Sequence, residues 1–192
     1  MWMMKNSIAG AAAAAMKDIT NVLSAVEIRE CSQVDKQKKN EQEPLVVSCA
    51  PFPKDLYMDR YSMDYPRRGS ALIINNDKFD VKGCSERKES EKDVMALKRV
   101  LGDKLGFEVV VRNNLTVYRM KKAIKEIAAL DHTDADCFMC VVLTHGKDDD
   151  YIYGTDGDTH HNDLSRLVAP DRCESLVGKP KIFMYQVGLK LN

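Results

Sequence analysis

A run of apolar residues, Cys137 to Thr144, constrains the fold of this chain more than any other feature of its sequence. Only the last residue of the run is polar. An apolar run of this length without alternation is typical of a strand that is buried on both faces of a sheet. The run therefore predicts an α/β fold in which helices cover both faces of the sheet.

A titratable residue, His145, follows this run directly, and Gly146 comes next. The carboxyl ends of parallel strands form the edge at which open α/β folds bind their ligands. We therefore expect His145 to lie where chemistry could take place. A single histidine at the end of a strand is also commonly a structural residue, so both interpretations stay open at this point.

Further strand and helix patterns alternate along residues 61–192, which we interpret as one domain. Short apolar runs predict strands, and apolar residues at helical spacing predict helices. The predicted elements are a strand at 69–76, a helix at about 89–105, a strand at 107–112, a helix at 117–130, a short hairpin-like segment at 151–153, a helix at about 162–168 and a strand at 182–187. This order indicates a mostly parallel sheet.

Residues 1–60 are predicted to be a largely disordered tail. An alanine run at 11–15 superficially resembles a signal peptide, but it is far shorter than a membrane span, and a short helix or disorder is the preferred interpretation. Residues 33–44 are almost entirely polar and predict a linker.

The charge and cysteine content narrow the function classes. The 29 basic and 29 acidic residues balance, so no net charge favours binding to nucleic acid or to an anionic membrane. The six cysteines lack the spacing of a disulfide scaffold, which favours reduced thiols and a cytoplasmic location. Cys137 and Cys140 would point to opposite faces of one strand, so we expect them to pack in the core rather than share a metal.

A group of acidic and histidine residues lies between 156 and 163. Its members are Asp156, Asp158, His160, His161 and Asp163. They lack the ligand spacing of a calcium loop or a zinc motif, so we expect a solvated turn and no metal or cofactor.

Several short stretches, in order and at sensible spacing, carry a more specific signal. They are Tyr65-Pro66-Arg67-Arg68-Gly69, Ala71 to Asn76, Gly83-Cys84-Ser85-Glu86-Arg87, Leu143-Thr144-His145-Gly146, Tyr153-Gly154-Thr155-Asp156-Gly157 and Gly178-Lys179-Pro180-Lys181. With them, residues 61–186 resemble the large (p20) catalytic subunit of the caspases, the aspartate-directed cysteine proteases, and in particular an insect effector caspase. The resemblance implies a three-layer sandwich, here incomplete because the small-subunit strands do not follow.

The resemblance also implies roles for particular residues. His145 falls on the general base and acid, and Gly146 on the residue that provides one oxyanion N–H. Arg87 falls on the position whose guanidinium binds the substrate aspartate, and Gln186 on the position that assists it.

One position departs from the pattern. The family has Gln-Ala-Cys where this chain has Gln186-Val187-Gly188, so glycine replaces the nucleophilic cysteine, and Leu189 to Asn192 bear no relation to the family. Losing a catalytic nucleophile lowers turnover on the order of a million-fold. We therefore expect that this chain alone does not cleave peptides.

Three interpretations remain open. The chain could be the large-subunit region of a caspase active in programmed cell death, with a C-terminus altered by a truncated gene model or an alternative exon. It could be a non-catalytic module that binds active caspases or their regulators, or an unfolded fragment. By family analogy the tail is a prodomain with a candidate cleavage point after Asp35. We also expect the apolar strand at 182–185 to lie at an uncovered edge of the sheet, which favours pairing with another chain.

Overall fold

A sheet forms the centre of the computed structural model, which describes residues 61–147 and 150–189. Its strands within these ranges are β1 (Ser70–Asn75), β2 (Glu108–Asn113), β3 (Phe138–Lys147), β4 (Tyr151–Tyr153), β5 (Asp158–His160) and β6 (Lys181–Leu189). The predicted tail, the 33–44 linker, Asp35 and residues 190–192 lie outside the described residues. The domain division at residue 60 therefore stays a prediction.

The sheet is mostly parallel, as the sequence predicts. β2, β1, β3 and β6 lie side by side in this order and run parallel, while β4 and β5 form an antiparallel hairpin joined to the end of β3. β3 is central because it is apolar on both faces, and it is buried from Phe138 to Gly146.

The prediction that helices cover both faces of the sheet is also confirmed. The described helices are α1 (Ser90–Lys98), which continues as a π-helical segment (Arg99–Lys104), α2 (Val117–Ala128), α3 (His161–Ser165), and 3-10 turns at Arg166–Val168 and Glu174–Leu176. Thr116 caps α2, since its side chain accepts a hydrogen bond from the Arg119 N–H. This helix ends at Ala128 rather than at 130 as predicted, and Leu130 lies beyond its end and is 51% exposed.

Two apolar clusters form the core, one on each face of the sheet. Met120 and Ile124 of α2 pack with Cys140 on one face, and Leu101 packs with Cys137 on the other. The prediction that the two cysteines point to opposite faces is therefore confirmed. Burial raises the pKa of the Cys137 thiol to about 12 and also raises that of Cys140, so both are unreactive at neutral pH.

The predicted end of the central strand was wrong. β3 does not stop at Thr144 but continues to Lys147, so that His145 and Gly146 lie within the strand. Ladder pairing causes this extension, because β6 runs beside β3 as far as Gly146 and β4 pairs with Gly146 and Lys147. Within the described residues β6 pairs only with β3, so its outer edge lacks a neighbouring strand there. No described helix is long and apolar enough to span a membrane.

Candidate active site

The imidazole of His145 is 8% exposed and lies between two backbone carbonyl groups. Its Nε2 is 2.8 Å from the Ser85 oxygen, and its Nδ1 is 3.3 Å from the Gly188 oxygen. Carbonyl oxygens only accept hydrogen bonds, and a neutral imidazole has one N–H to donate. The shorter distance favours a proton on Nε2, which leaves Nδ1 as the basic nitrogen on the side of Gly188.

Gly188 faces this basic nitrogen. It pairs in register with His145 across β3 and β6. A β-carbon added at Gly188 would lie 3.3 Å from Nδ1 and 3.6 Å from Cε1 of the ring. A side chain at position 188 would therefore start in contact with the imidazole, and the natural glycine provides only its backbone there.

Gly146 is crowded by the neighbouring strand. A β-carbon on Gly146 would lie 3.0 Å from Cβ of Val187 and 3.2 and 3.3 Å from its two γ-carbons. Only a residue without a side chain fits this approach without displacing Val187. Whether the Gly146 N–H serves an oxyanion stays a prediction.

Arg87 reaches the same edge of the sheet from the loop that follows β1. Its N–H donates to the Asp77 oxygen at 2.9 Å, and its Nη1 donates to the Asn76 oxygen at 3.3 Å. The Asn76 N–H in turn donates to the Leu143 oxygen of β3 at 2.9 Å. Burial lowers the pKa of the guanidinium, with Asp93 and Asp77 acting against it, so a partly buried cation stands near the end of β1.

Gln186 lies on β6 opposite Leu143 and is partly buried. Residues two apart in a strand share a face, so Gln186 and Gly188 lie on the same face as Leu143 and His145. The structure therefore brings the sequence-predicted residues to one edge of the sheet, at the carboxyl ends of β1, β3 and β6.

The prediction of a solvated turn at 156–163 was wrong, because Asp158–His160 forms β5, α3 begins at His161 and His161 is 3% exposed. The acidic and histidine residues of this segment separate into two groups. Asp156 accepts the Val117 N–H at 2.8 Å, Asp158 pairs with the Lys147 ammonium, and Asp163 pairs with the Lys121 ammonium at 3.0 Å. These three carboxylates hold the hairpin and α3 against the rest of the fold.

The two histidines of this segment have a different neighbour. His160 and His161 lie near Asp150, and one donor atom from each of the three residues is within 4.8 Å of the others. Sequence reasoning did not include Asp150 in this group, because only the antiparallel pairing of β4 with β5 brings it beside the two histidines.

Two further contributors were also missed. Phe79 lies against the imidazole of His145, with a distance of 4.9 Å between the two ring centroids. The Ser85 carbonyl orients the same ring. A backbone carbonyl carries no residue-type signal, so the sequence offered no means of finding this contact.

Comparisons with known proteins place this geometry in a family. The model of the caspase domain matches residues 68–188. Caspase-6 of Mus musculus is 41% identical over 129 residues, which cover 67% of this chain and 46% of that protein. Caspase-7 of Gallus gallus is 38% identical, covering 66% of this chain and 41% of that protein. Caspase-1 of Spodoptera frugiperda is 36% identical, covering 71% and 45%.

A solved structure agrees with these sequence matches. The structure of pro-sf-caspase-1 superposes with a TM-score of 0.63 at 36% identity, covering 66% of this chain and 53% of that chain. This chain thus spans about half the length of the relatives it matches. Both vertebrate and insect relatives match, so the specifically insect-like character stays a prediction. The caspase-domain match extends over more than half of the sequence, and the chain belongs to the caspase family.

Proposed function

We propose that this chain is a caspase-type cysteine endopeptidase domain that holds the base and the aspartate-binding cation of the site but not the nucleophile, and that as it stands it does not cleave peptides. The observation that carries the proposal is the position of Gly188, opposite Nδ1 of His145. The imidazole is buried and oriented as a base requires, but it faces a residue without a side chain.

A cysteine at position 188 would complete the chemistry. Nδ1 of His145 would take the thiol proton, and the thiolate would attack the peptide carbonyl carbon to form a tetrahedral oxyanion. The Gly146 N–H would stabilise that oxyanion, and the imidazolium would return the proton to the leaving amine. Arg87 would hold the aspartate side chain through its guanidinium fork. Water would then hydrolyse the acyl-enzyme.

Thiol labelling tests this proposal directly. We expect Gly188→Cys, in a Cys84→Ser background, to react with a peptidyl aspartyl chloromethyl ketone at position 188. Adding His145→Ala should slow this alkylation about 100-fold or more, since general-base assistance is worth 10²–10⁴-fold. Cys137 and Cys140 should stay unlabelled, because they are buried and their pKa values are raised.

Two results would contradict the proposal. One is hydrolysis of an aspartyl peptide by the unsubstituted chain at a rate that His145→Ala abolishes. The other is labelling of the Gly188→Cys variant at position 188 that does not depend on His145. Lys78→Ala, added to the Gly188→Cys variant, is the control for His145→Ala. Lys78 is exposed and lies on the same loop as Phe79, so this substitution should not slow the labelling.

A second candidate is a non-catalytic module that binds active caspases or their regulators in the cytoplasm. The outer edge of β6, which has no neighbouring strand among the described residues, favours this alternative. Co-expression with a full-length relative should then yield a stable complex by size-exclusion chromatography, and Val187→Pro should weaken it, because alternate residues of β6 pair with β3 and the Val187 N–H points to the outer edge. A complex that forms equally well with Val187→Pro would exclude β6 as the binding edge. In either case we expect protein partners and no nucleic acid.

A further inference from the structure

We propose that Asp150, His160 and His161 form a binding site for a zinc ion, independent of the proposed protease chemistry. One donor atom from each residue lies within 4.8 Å of the other two. Two imidazole nitrogens and one carboxylate oxygen match the ligands of zinc sites with three protein ligands, in which water takes the fourth position. Magnesium and calcium prefer oxygen ligands throughout, so they fit this set less well.

The β4–β5 hairpin brings the three residues together. Tyr151, the first residue of β4, pairs in register with His160, the last residue of β5. Immediately outside this pair, the His161 N–H donates to the Asp150 backbone oxygen at 3.1 Å. The positions of Asp150 and His161 are therefore fixed by backbone pairing, and zinc binding needs no rearrangement of the sheet.

The three donor atoms are close, but they have to move closer to one another before they can bind one zinc ion. His161 is 3% exposed, and its Nε2 lies 3.7 Å from Oδ2 of Asp150. The ring centroids of His160 and His161 are 4.7 Å apart. Metal–donor bonds of about 2.1 Å separate two ligand atoms by at most about 4.2 Å. The partly exposed side chains of Asp150 and His160 can supply the remaining contraction.

One existing hydrogen bond competes with the metal. Nδ1 of His160 accepts the Asn162 N–H at 3.1 Å and so caps α3. A neutral imidazole that coordinates a metal through one nitrogen carries its proton on the other, so it can no longer accept this N–H. Zinc binding therefore gives up this cap, and we expect a weaker affinity than that of a preorganised structural zinc site.

The neighbouring carboxylates provide matched controls. Asp156 is held by the Val117 N–H, and Asp163 by Lys121, so neither belongs to the proposed ligand set. His160→Asn is the matched ligand variant, because asparagine is a preferred N-cap and can keep the cap of α3 while removing the imidazole. Asp150→Asn removes the carboxylate charge at a partly exposed position.

Zinc titration of the full 192-residue chain tests the site. After metal removal with a chelator, isothermal titration with zinc chloride should show a site with one zinc ion per chain that depends on these residues. His160→Asn and Asp150→Asn should each weaken it about 100-fold or more, since loss of an outer-shell partner alone costs 10–100-fold. Asp156→Asn should leave it unchanged.

Cobalt substitution separates this site from cysteine sites. Co²⁺ bound to nitrogen and oxygen ligands should give visible absorption without a thiolate charge-transfer band. Zinc affinity that is unchanged in both ligand variants, or a thiolate band that persists with the bound metal, would overturn the proposal. Neither readout depends on peptide cleavage, so failure of the zinc site leaves the proposed protease chemistry untouched.

Discussion

The two ends of β3 differ in how they hold their buried and partly buried ionisable side chains. At the amino end, Asp136 is 2% exposed, pairs with Nη1 of Arg68 at 3.0 Å and accepts the Tyr65 N–H at 3.0 Å. At the carboxyl end, His145 and Arg87 contact backbone carbonyl groups instead. Among the ion pairs of residues 61–147 and 150–189, none includes either of these two side chains.

Lys179 is a second buried charge at the amino end of β3 whose hydrogen-bonding groups have partners. Its ammonium is buried at the amino end, donates to the His132 and Thr133 oxygens at 2.7 and 2.8 Å, and lies 3.7 Å from the centroid of the Tyr65 ring. An ionisable side chain that pairs with an opposite charge or with several hydrogen-bond acceptors stabilises the fold, whereas one that contacts only a backbone carbonyl can still bind a ligand. We therefore expect substitutions at the amino end to affect mainly stability.

The largest effect is expected for Gly69→Ala at the amino end. Gly69 has φ of 116°, and a β-carbon there would lie 1.9 Å from the Cys137 oxygen. Backbone cannot move aside cheaply, so we expect a loss of more than about 4 kcal/mol in the free energy of unfolding, measured by urea denaturation. Gly178→Ala is the control, because Gly178 also has a positive φ of 73° but nothing within 4 Å, and it should lose only about 1–2 kcal/mol. Equal losses would show that the amino end is not rigidly packed.

Arg68→Ala should have the next largest effect. It leaves the buried Asp136 carboxylate without its cation, and we expect a loss of about 3 kcal/mol, at the low end for buried pairs because Arg68 is itself partly exposed. Arg67→Ala is the matched control, since its pairs with Asp134 and Glu108 are exposed and screened by solvent, so its loss of stability should be clearly smaller than that of Arg68→Ala. The distinction between buried and exposed pairs fails if thermal unfolding shifts equally in both variants.

A smaller effect is expected at the carboxyl end, for Gly146→Ala. The added methyl group would press on Val187, so we expect a loss of about 1–3 kcal/mol from overpacking. Val187→Ala should relieve this strain, so that the double variant is more stable than the sum of the single effects indicates. Chemical denaturation of the four proteins in this double-mutant cycle measures the coupling. Additive effects would show that the carboxyl end has room that the distances do not indicate.

Much of the fold could be predicted from the sequence, because burial on two faces requires an unbroken apolar strand, and Cys137 to Thr144 is one. The position where β3 ends could not be predicted in this way. His145 and Gly146 join the strand because β6 and β4 offer them ladder partners, and that pairing depends on residues distant along the chain.

The candidate site was predictable where side chains carry the chemistry. The family resemblance pointed to His145, Arg87, Gln186 and Gly188, which lie at one edge of the sheet, although their roles are still to be tested. It could not indicate the Ser85 carbonyl, since any residue has one, or the approach of Asp150 to the two histidines, which depends on the pairing of the β4–β5 hairpin.

The long connection between β3 and β6 has a consequence for biosynthesis. The paired residues His145 and Gly188 are 43 positions apart. As the ribosome adds residues in order, β3 leaves the exit tunnel well before β6, the strand that completes its ladder. Parallel pairing over such a distance forms late, because loop closure precedes the gain in contacts. The nascent chain therefore carries an open apolar strand edge for dozens of elongation steps, and molecular chaperones would act in this interval.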